Sequence, residues 1–331
     1  MNYYLSTTNT IIMKIAYFWT GEFSRNILAE ILEKNTLEVK LAVSQPDKPF
    51  GRKQELIPTP VKQLALEKNL EILQPEKLKN NTEFFDKLTS FELDFIIVVA
   101  YGKIIPKEIL EIPKYGCINI HGSILPAYRW ASPIQESLKN WDTKTWLTIM
   151  YMSEWMDEWD VLKIEEINID ILDKTPELFK KFENIWVNLL TSTLKWIVSS
   201  EIQWVPQDHS KATYCSKISK EDGKIDFETE RVFDIYNKYR AYFPWPGIYS
   251  YYEGKKFDIT DCFFEENELY FDDDFQLGDV VEFEDHGKNY IWILCKWGIL
   301  ILNKVKLEWK KEMSIKDFIN GNKNFLEYNF L

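Results

Sequence analysis

Residues 95–99 read Phe-Ile-Ile-Val-Val, an apolar run with no polar face. A strand with one solvent face alternates apolar and polar residues, whereas an unbroken run belongs to a parallel strand covered on both sides by helices. The flanking sequence supports such a sheet. Strand-like segments fall at 15–18, 39–43, 71–73 and 118–120, and helical spacing falls at 23–33, 60–68 and 81–90. Residues 148–152 alternate like a strand in an antiparallel part of the sheet, and 177–199 reads as one long helix. Strands separated by helices imply a doubly wound, Rossmann-like α/β domain that binds ligands at the carboxyl ends of its strands. The pattern changes near residue 205. Residues 205–211 are polar and irregular, and 232–239 forms a short helix. Short alternating segments at 249–252, 256–264, 280–283, 290–294 and 299–305 suggest a small C-terminal, OB-like β-barrel. The expected organisation is an extension or tail at 1–12, a catalytic domain at 13–204, a linker at 205–220 and the barrel domain at 221–331. Met13, directly before the first strand, reads as the true start.

A net charge of -12 argues against broad, nonspecific nucleic-acid binding. It leaves room for local basic surfaces, at Lys48, Arg52, Lys53 and Lys62 and again at Lys304, Lys306, Lys310 and Lys311. Cys117, Cys215, Cys262 and Cys295 are far apart and show no metal spacing, so a reduced, cytoplasmic protein without a metal site is expected. No apolar run approaches the length of a membrane helix, and the expected state is a monomer.

One polar set stands out. Asn119 and His121 are two apart on a strand, so they share a side. Asp157 lies in a following loop, Glu154-Trp155-Met156-Asp157-Glu158-Trp159-Asp160. An amide and an imidazolium can hold a developing oxyanion, and a carboxylate can tune the imidazole and help move a proton. On the residues alone, a lone histidine at a strand end is more often structural. Ser123 lacks the turn context of an activated nucleophile.

The tryptophans are misplaced for a fold of this kind. Trp130 follows Asn119-Ile120-His121-Gly122-Ser123-Ile124-Leu125-Pro126-Ala127-Tyr128-Arg129, at a strand-to-helix connection where a residue without a side chain is wanted. Trp19 precedes Thr20-Gly21, Trp141 sits in Asn140-Trp141-Asp142, and Trp155 and Trp159 bracket Asp157. The chain has 13 Trp and 12 Gly, where about 7% Gly, roughly 23 residues, is usual. Most of these tryptophans therefore read as glycine codons, UGA being tryptophan in one variant code and glycine in another.

Asn119-Ile120-His121-Gly122-Ser123-Ile124-Leu125-Pro126 resembles the N-x-H-x-S-x-L-P signature of the folate-dependent formyltransferases, and Asp157-Glu158-Trp159 matches their D-x-G loop if Trp159 is glycine. The resemblance covers nearly all of residues 13–331 and is strongest to members that act on methionyl-tRNA. Such members have Gly at Trp19, Trp130, Trp141, Trp146, Trp155, Trp159, Trp186 and Trp309, and Trp at Trp245. Trp196, Trp204, Trp292 and Trp297 stay unassigned. Gly21 departs from the family, which usually has Pro there. The resemblance implies transfer of a formyl group from 10-formyltetrahydrofolate to the α-amine of initiator methionyl-tRNA, with Asn119, His121 and Asp157 catalytic. It implies a folate pocket of Val98, Ala100, Tyr101, Gly102, Ser123, Leu125, Pro126 and Arg129. It also implies tRNA contact by Lys48, Arg52 and Lys53. The competing expectations are a formyltransferase acting on a nucleotide-sugar or ribonucleotide amine, and, with genuine tryptophans, a catalytically dead folate- or RNA-binding homologue.

Overall fold

A computed structural model describes residues 12–50, 54–154, 157–266 and 275–331. In chain order the elements are β1 (Met13–Phe18), α1 (Glu22–Lys34), β2 (Leu37–Val43), β3 (Lys48–Phe50), β4 (Glu55–Ile57), α2 (Pro60–Glu67), β5 (Ile72–Leu73), α3 (Thr82–Thr89), β6 (Phe95–Val98), α4 (Lys107–Leu110), β7 (Cys117–His121), β8 (Arg129–Trp130), α5 (Pro133–Lys139), β9 (Lys144–Tyr151), β10 (Val161–Asn168), α6 (Thr175–Ser199) and β11 (Tyr214–Cys215). They are followed by α7 (Val232–Tyr242), β12 (Ile248–Tyr252), β13 (Lys255–Glu266), β14 (Val280–Asp285), β15 (Lys288–Cys295), β16 (Gly298–Leu307), β17 (Met313–Ser314) and α8 (Ile315–Gly321). The chain divides into two compact units. The first holds the chain up to Ala131 with Trp146–Ile167 and Lys180–Tyr214, and the second holds Ser132–Thr145, Asn168–Phe179 and Cys215–Leu331.

The first unit is built on a sheet of order β10-β9-β7-β6-β1-β2-β5. β1 is parallel to β2 and β6, β6 is parallel to β7, and β9 runs antiparallel to β7. β6 is buried at every position, as its unbroken apolar run requires. From β1 the chain builds outward through β2 and β5, then returns to place β6 and β7 on the other side. The strand order therefore reverses at β1 and β6, and the carboxyl ends of strands at such a reversal are where sheets of this kind bind ligands. Local signals set the helices. Thr59 caps α2 by accepting from the Lys62 N–H, with Pro60 in the first turn, and Asn81 caps α3 by accepting from the Phe84 N–H.

The expected second domain is an antiparallel sheet of order β12-β13-β16-β15-β14, with β17 on β16. Among the described residues its end strands, β12 and β14, are not hydrogen-bonded to each other, and the path combines three hairpins with the β13–β16 pairing. Val232, Ile235, Tyr236 and Tyr239 of α7 share one core with Phe257, Ile259, Leu300, Leu302 and Phe318. Arg240, only 2% exposed, donates to the carbonyls of Asp173 and Asp170 at 2.8 and 2.7 Å. Arg240→Met removes these donors from buried acceptors and is expected to destabilise this unit by about 3 kcal/mol, measured as a fall in the urea midpoint at unchanged slope.

Residues 205–215 are more structured than their composition suggests. Val205 and Val161 exchange main-chain hydrogen bonds at 2.9 Å, and Gln207 is buried. The hairpin of β3 and β4, strand β10 and helix α8 are further elements that the periodicity did not disclose. All four cysteines are buried and free, and burial pushes the Cys117, Cys262 and Cys295 thiols up.

Candidate active site

Asn119 and His121 project from the same face of β7. In the sheet Asn119 lies opposite Val98 of β6 on one side and Met150 of β9 on the other, and His121 lies opposite Thr148. β7 ends at His121, so both polar groups stand at the carboxyl end of a parallel strand. Asp157 comes from the loop between β9 and β10. Its Oδ1 accepts from Asn119 Nδ2 at 3.3 Å, and its Oδ2 accepts from the main-chain N–H of Trp130 at 2.9 Å. Oδ2 also lies 3.7 Å from His121 Nδ1, too far for a hydrogen bond but near enough for an ion pair. The two side chains are only 7% and 11% exposed. The other ring nitrogen, His121 Nε2, is 2.8 Å from the carbonyl oxygen of Tyr128. A carbonyl can only accept, so Nε2 carries hydrogen and Nδ1 faces the carboxylate. The residues that the spacing of the sequence singled out thus meet in one cluster.

Gln207 and Arg129 hold this cluster. Gln207 Nε2 donates to the main-chain oxygens of Asp157 and Trp159 at 3.0 and 2.6 Å. Its Oε1 accepts from Arg129 Nη2 at 2.8 Å. Arg129, 1% exposed, also lies 3.4 Å from Glu158 Oε1 and 3.0 Å from His209 Nδ1. Asp157 has a left-handed backbone, φ 56, a conformation that aspartate tolerates better than most residues. The loop is thereby tied at its carboxylate by main chain and at its carbonyls by Gln207. Gln207 went unnoticed in the sequence because it falls in a polar, irregular stretch, and nothing local marks a glutamine that acts on a loop 50 residues away.

A family profile described as Formyl transferase matches residues 13–194, and one described as Formyl transferase, C-terminal domain, matches residues 217–323. The methionyl-tRNA formyltransferase of Caldicellulosiruptor saccharolyticus is 44% identical over 311 residues, 94% of this chain and 97% of that protein. The chain belongs to the methionyl-tRNA formyltransferase family. The corresponding protein of Dictyoglomus thermophilum is 40% identical over 309 residues, 93% of this chain and 97% of its own length. Among solved structures, the sugar 3N-formyl transferase WlaRD, determined with dTDP and 5-N-formyl-THF, matches with TM-score 0.59 and 19% identity over 91% of this chain and 99% of that one. HypX from Aquifex aeolicus, in complex with tetrahydrofolic acid, matches with TM-score 0.61 and 14% identity; the match covers 96% of this chain and 48% of HypX. These two likenesses concern the fold.

The other residues expected at the site of this formyltransferase fall in several settings. Val98 is buried, and the chain then turns through exposed Ala100 at φ 44. Tyr101 is buried, which pushes its hydroxyl up to about 12. Gly102 has φ 76, and a Cβ there would stand 3.0 Å from Gln45 Nε2. Ser123 is a turn residue: its hydroxyl donates to the Ala127 carbonyl, and its carbonyl accepts from the Thr148 hydroxyl. Leu125 packs with Met150 and Val161. The carbonyl of Pro126 accepts from the Thr213 N–H at 3.2 Å. Arg129 points into the Asp157 loop, as described above. Among the expected tRNA contacts, Lys48 is exposed on β3, and Arg52 and Lys53 lie outside the described residues. The β3–β4 hairpin is anchored at its base. Asp47 pairs with Lys62 at 2.5 Å and accepts from Gln74 at 2.7 Å. Burial works to raise the Asp47 carboxyl, but the hydrogen bonds from Gln74 and Lys62 prevail and hold it below the usual carboxylate range. Beside this hairpin a cavity of about 330 Å³ is lined by Thr20, Gln45, Pro46, Pro49 and Ile57, among others.

Proposed function

We propose that this cleft transfers the formyl group of 10-formyltetrahydrofolate to the α-amine of methionine esterified to initiator tRNA. The observation that carries the reading is the convergence of Asn119, His121 and Asp157 at the carboxyl end of β7. The surroundings suit a folate. The main chain takes left-handed φ at Ala100 and Gly102, and the apolar group of Leu125, Met150 and Val161 adjoins Asn119 through Met150.

In the reaction the amine nitrogen bonds to the formyl carbon, and the carbonyl electron pair moves onto oxygen. Asn119 Nδ2 has two hydrogens; one meets Asp157 and the second is available to the oxyanion. A protonated His121, held by the Tyr128 carbonyl and by Asp157, adds positive charge beside it. Each such donor is worth about 3 kcal/mol of barrier. Asp157 accepts the proton that the attacking amine sheds, and that proton passes to N10 as the carbon–nitrogen bond to tetrahydrofolate breaks. The products are formylmethionyl-tRNA and tetrahydrofolate. Burial of Asp157 and His121 strengthens the electrostatics that the step uses.

The acceptor is the part of the reading that a binding test separates. Lys48 is exposed on β3, Arg52 and Lys53 follow it in the sequence, and the three would supply cations for the acceptor end of the tRNA. Arg52→Ala is expected to raise KM for methionyl-tRNA about tenfold and to leave KM for 10-formyltetrahydrofolate unchanged. Steady-state kinetics with each substrate varied in turn checks this. An equal loss in both would contradict the assignment. Turnover of an amino-sugar nucleotide in place of methionyl-tRNA would favour the competing acceptor class.

A further inference from the structure

Four tryptophans occupy backbone conformations that suit glycine. Among the described residues, fifteen non-glycine residues have left-handed φ, and four of them are Trp130 (φ 85), Trp141 (φ 61), Trp297 (φ 67) and Trp309 (φ 65). The comparison with other bulky aromatics is decisive. The chain has 21 phenylalanines and 17 tyrosines, yet of these only Tyr128 is left-handed among the described residues. A Cβ crowds the following carbonyl in this region; glycine escapes the clash, and asparagine and aspartate tolerate it better than bulky residues do.

Hydrogen bonds and backbone angles identify what each position is. At the end of α5 the Trp141 N–H bonds the Leu138 carbonyl at 3.2 Å and the Asp142 N–H bonds the Ser137 carbonyl at 3.0 Å. That pair of bonds is a Schellman motif with residue 141 at its left-handed position, the usual place of a helix-ending glycine. The Lys310 N–H bonds the Leu307 carbonyl at 2.9 Å, closing a turn with residue 309 third. Residue 308 is not left-handed and residue 309 is, the signature of a type II turn, which asks for glycine there. The Trp309 side chain is 85% exposed, so little packing offsets the strain. Residues 296 and 297 join β15 to β16 in a two-residue loop with the same pattern of φ. Residue 130 is the one with a functional charge. Its N–H holds Asp157 Oδ2, and its side chain, 51% exposed, stands with its ring 5.0 Å from that of Tyr214.

We propose that the protein made in its own cells carries glycine at 130, 141, 297 and 309, and that glycine at 130 lets the main chain hold Asp157 without strain. Residue 130 then acts as a positioning residue through its N–H alone. Trp297, which sequence comparison left unassigned, joins the set on geometry.

Peptide masses of the protein isolated from its own cells test this directly. Glycine at the four positions is the expected result, and tryptophan there overturns the proposal. A recombinant series separates backbone from bulk. Glycine at each position is expected to raise Tm by about 2–4 °C over the chain as written, and alanine is expected to recover less than half of that. Equal gains from alanine and glycine would show that only side-chain size matters, and would overturn the backbone argument. At position 130, Trp130→Gly is expected to raise kcat for formyl transfer more than Trp130→Ala does, with KM for the folate unchanged by the exchange of alanine for glycine. Equal kcat for the two variants would remove the positioning role.

Discussion

Asp157→Ala and His121→Ala are each expected to lower kcat for formyl transfer by roughly 10²–10⁴-fold while leaving the fold intact. The expectation follows from where the two groups sit. Both are nearly buried, and they face each other across 3.7 Å. Neither is a large apolar side chain whose loss opens a core cavity. Removing Asp157 deletes the carboxylate that faces His121 and the proposed acceptor for the amine proton, and it frees the Asn119 amide and the residue 130 N–H. Removing His121 deletes one of the two groups proposed to hold the oxyanion. Single-turnover kinetics reads the chemical step apart from substrate binding, and circular dichroism checks that the variants fold. Turnover within a few-fold of the parent in a folded Asp157→Ala protein would refute its role. Because the groups act together, the double variant is expected to lose little more than either single one.

Gln207→Leu is expected to lower kcat by about 10–100-fold with a smaller effect on KM. Gln207 touches no reacting atom in the proposed chemistry. It donates to the Asp157 and Trp159 carbonyls and accepts from Arg129, so the substitution preserves bulk but unties the loop that carries the carboxylate. A loop displaced by about 1 Å loses most of the benefit of orientation. A merely structural glutamine would change Tm and leave kcat alone. Rescue separates the two cases: Gln207→Glu keeps the acceptor for Arg129 but loses the two amide donors, so it is expected to restore stability better than turnover. Restored turnover in that variant would contradict the positioning role.

The parallel sheet was legible in the sequence because its strands need apolar residues on both faces, and residues 95–98 satisfy this without interruption. Asn119 and His121 were legible for a related reason. Two polar groups two apart at the end of an apolar strand face one way, and the sheet topology sets that end beside the reversal of strand order. β10 was not legible. Its burial runs two buried, one half-buried, three exposed, one buried and one exposed, with no period of two to find. The pairing of the end strands of the second domain was not legible, since short alternating strands specify neighbouring pairs and leave that pairing open. Gln207 was hidden because its partners are distant in the chain. The tryptophans show the reverse situation. Their misfit was visible in the sequence at Trp130 and Trp141, and backbone angle then distinguished these from Trp19, Trp146, Trp159 and Trp186, whose φ makes no demand for glycine.

The decisive measurement is transfer of labelled formyl from 10-formyltetrahydrofolate to initiator methionyl-tRNA by the protein isolated from its own cells. Formylmethionyl-tRNA should form with multiple turnovers, and free methionine or an amino-sugar nucleotide should not be formylated at a comparable rate. A folded protein that binds the folate yet leaves methionyl-tRNA unformylated would contradict the proposed function.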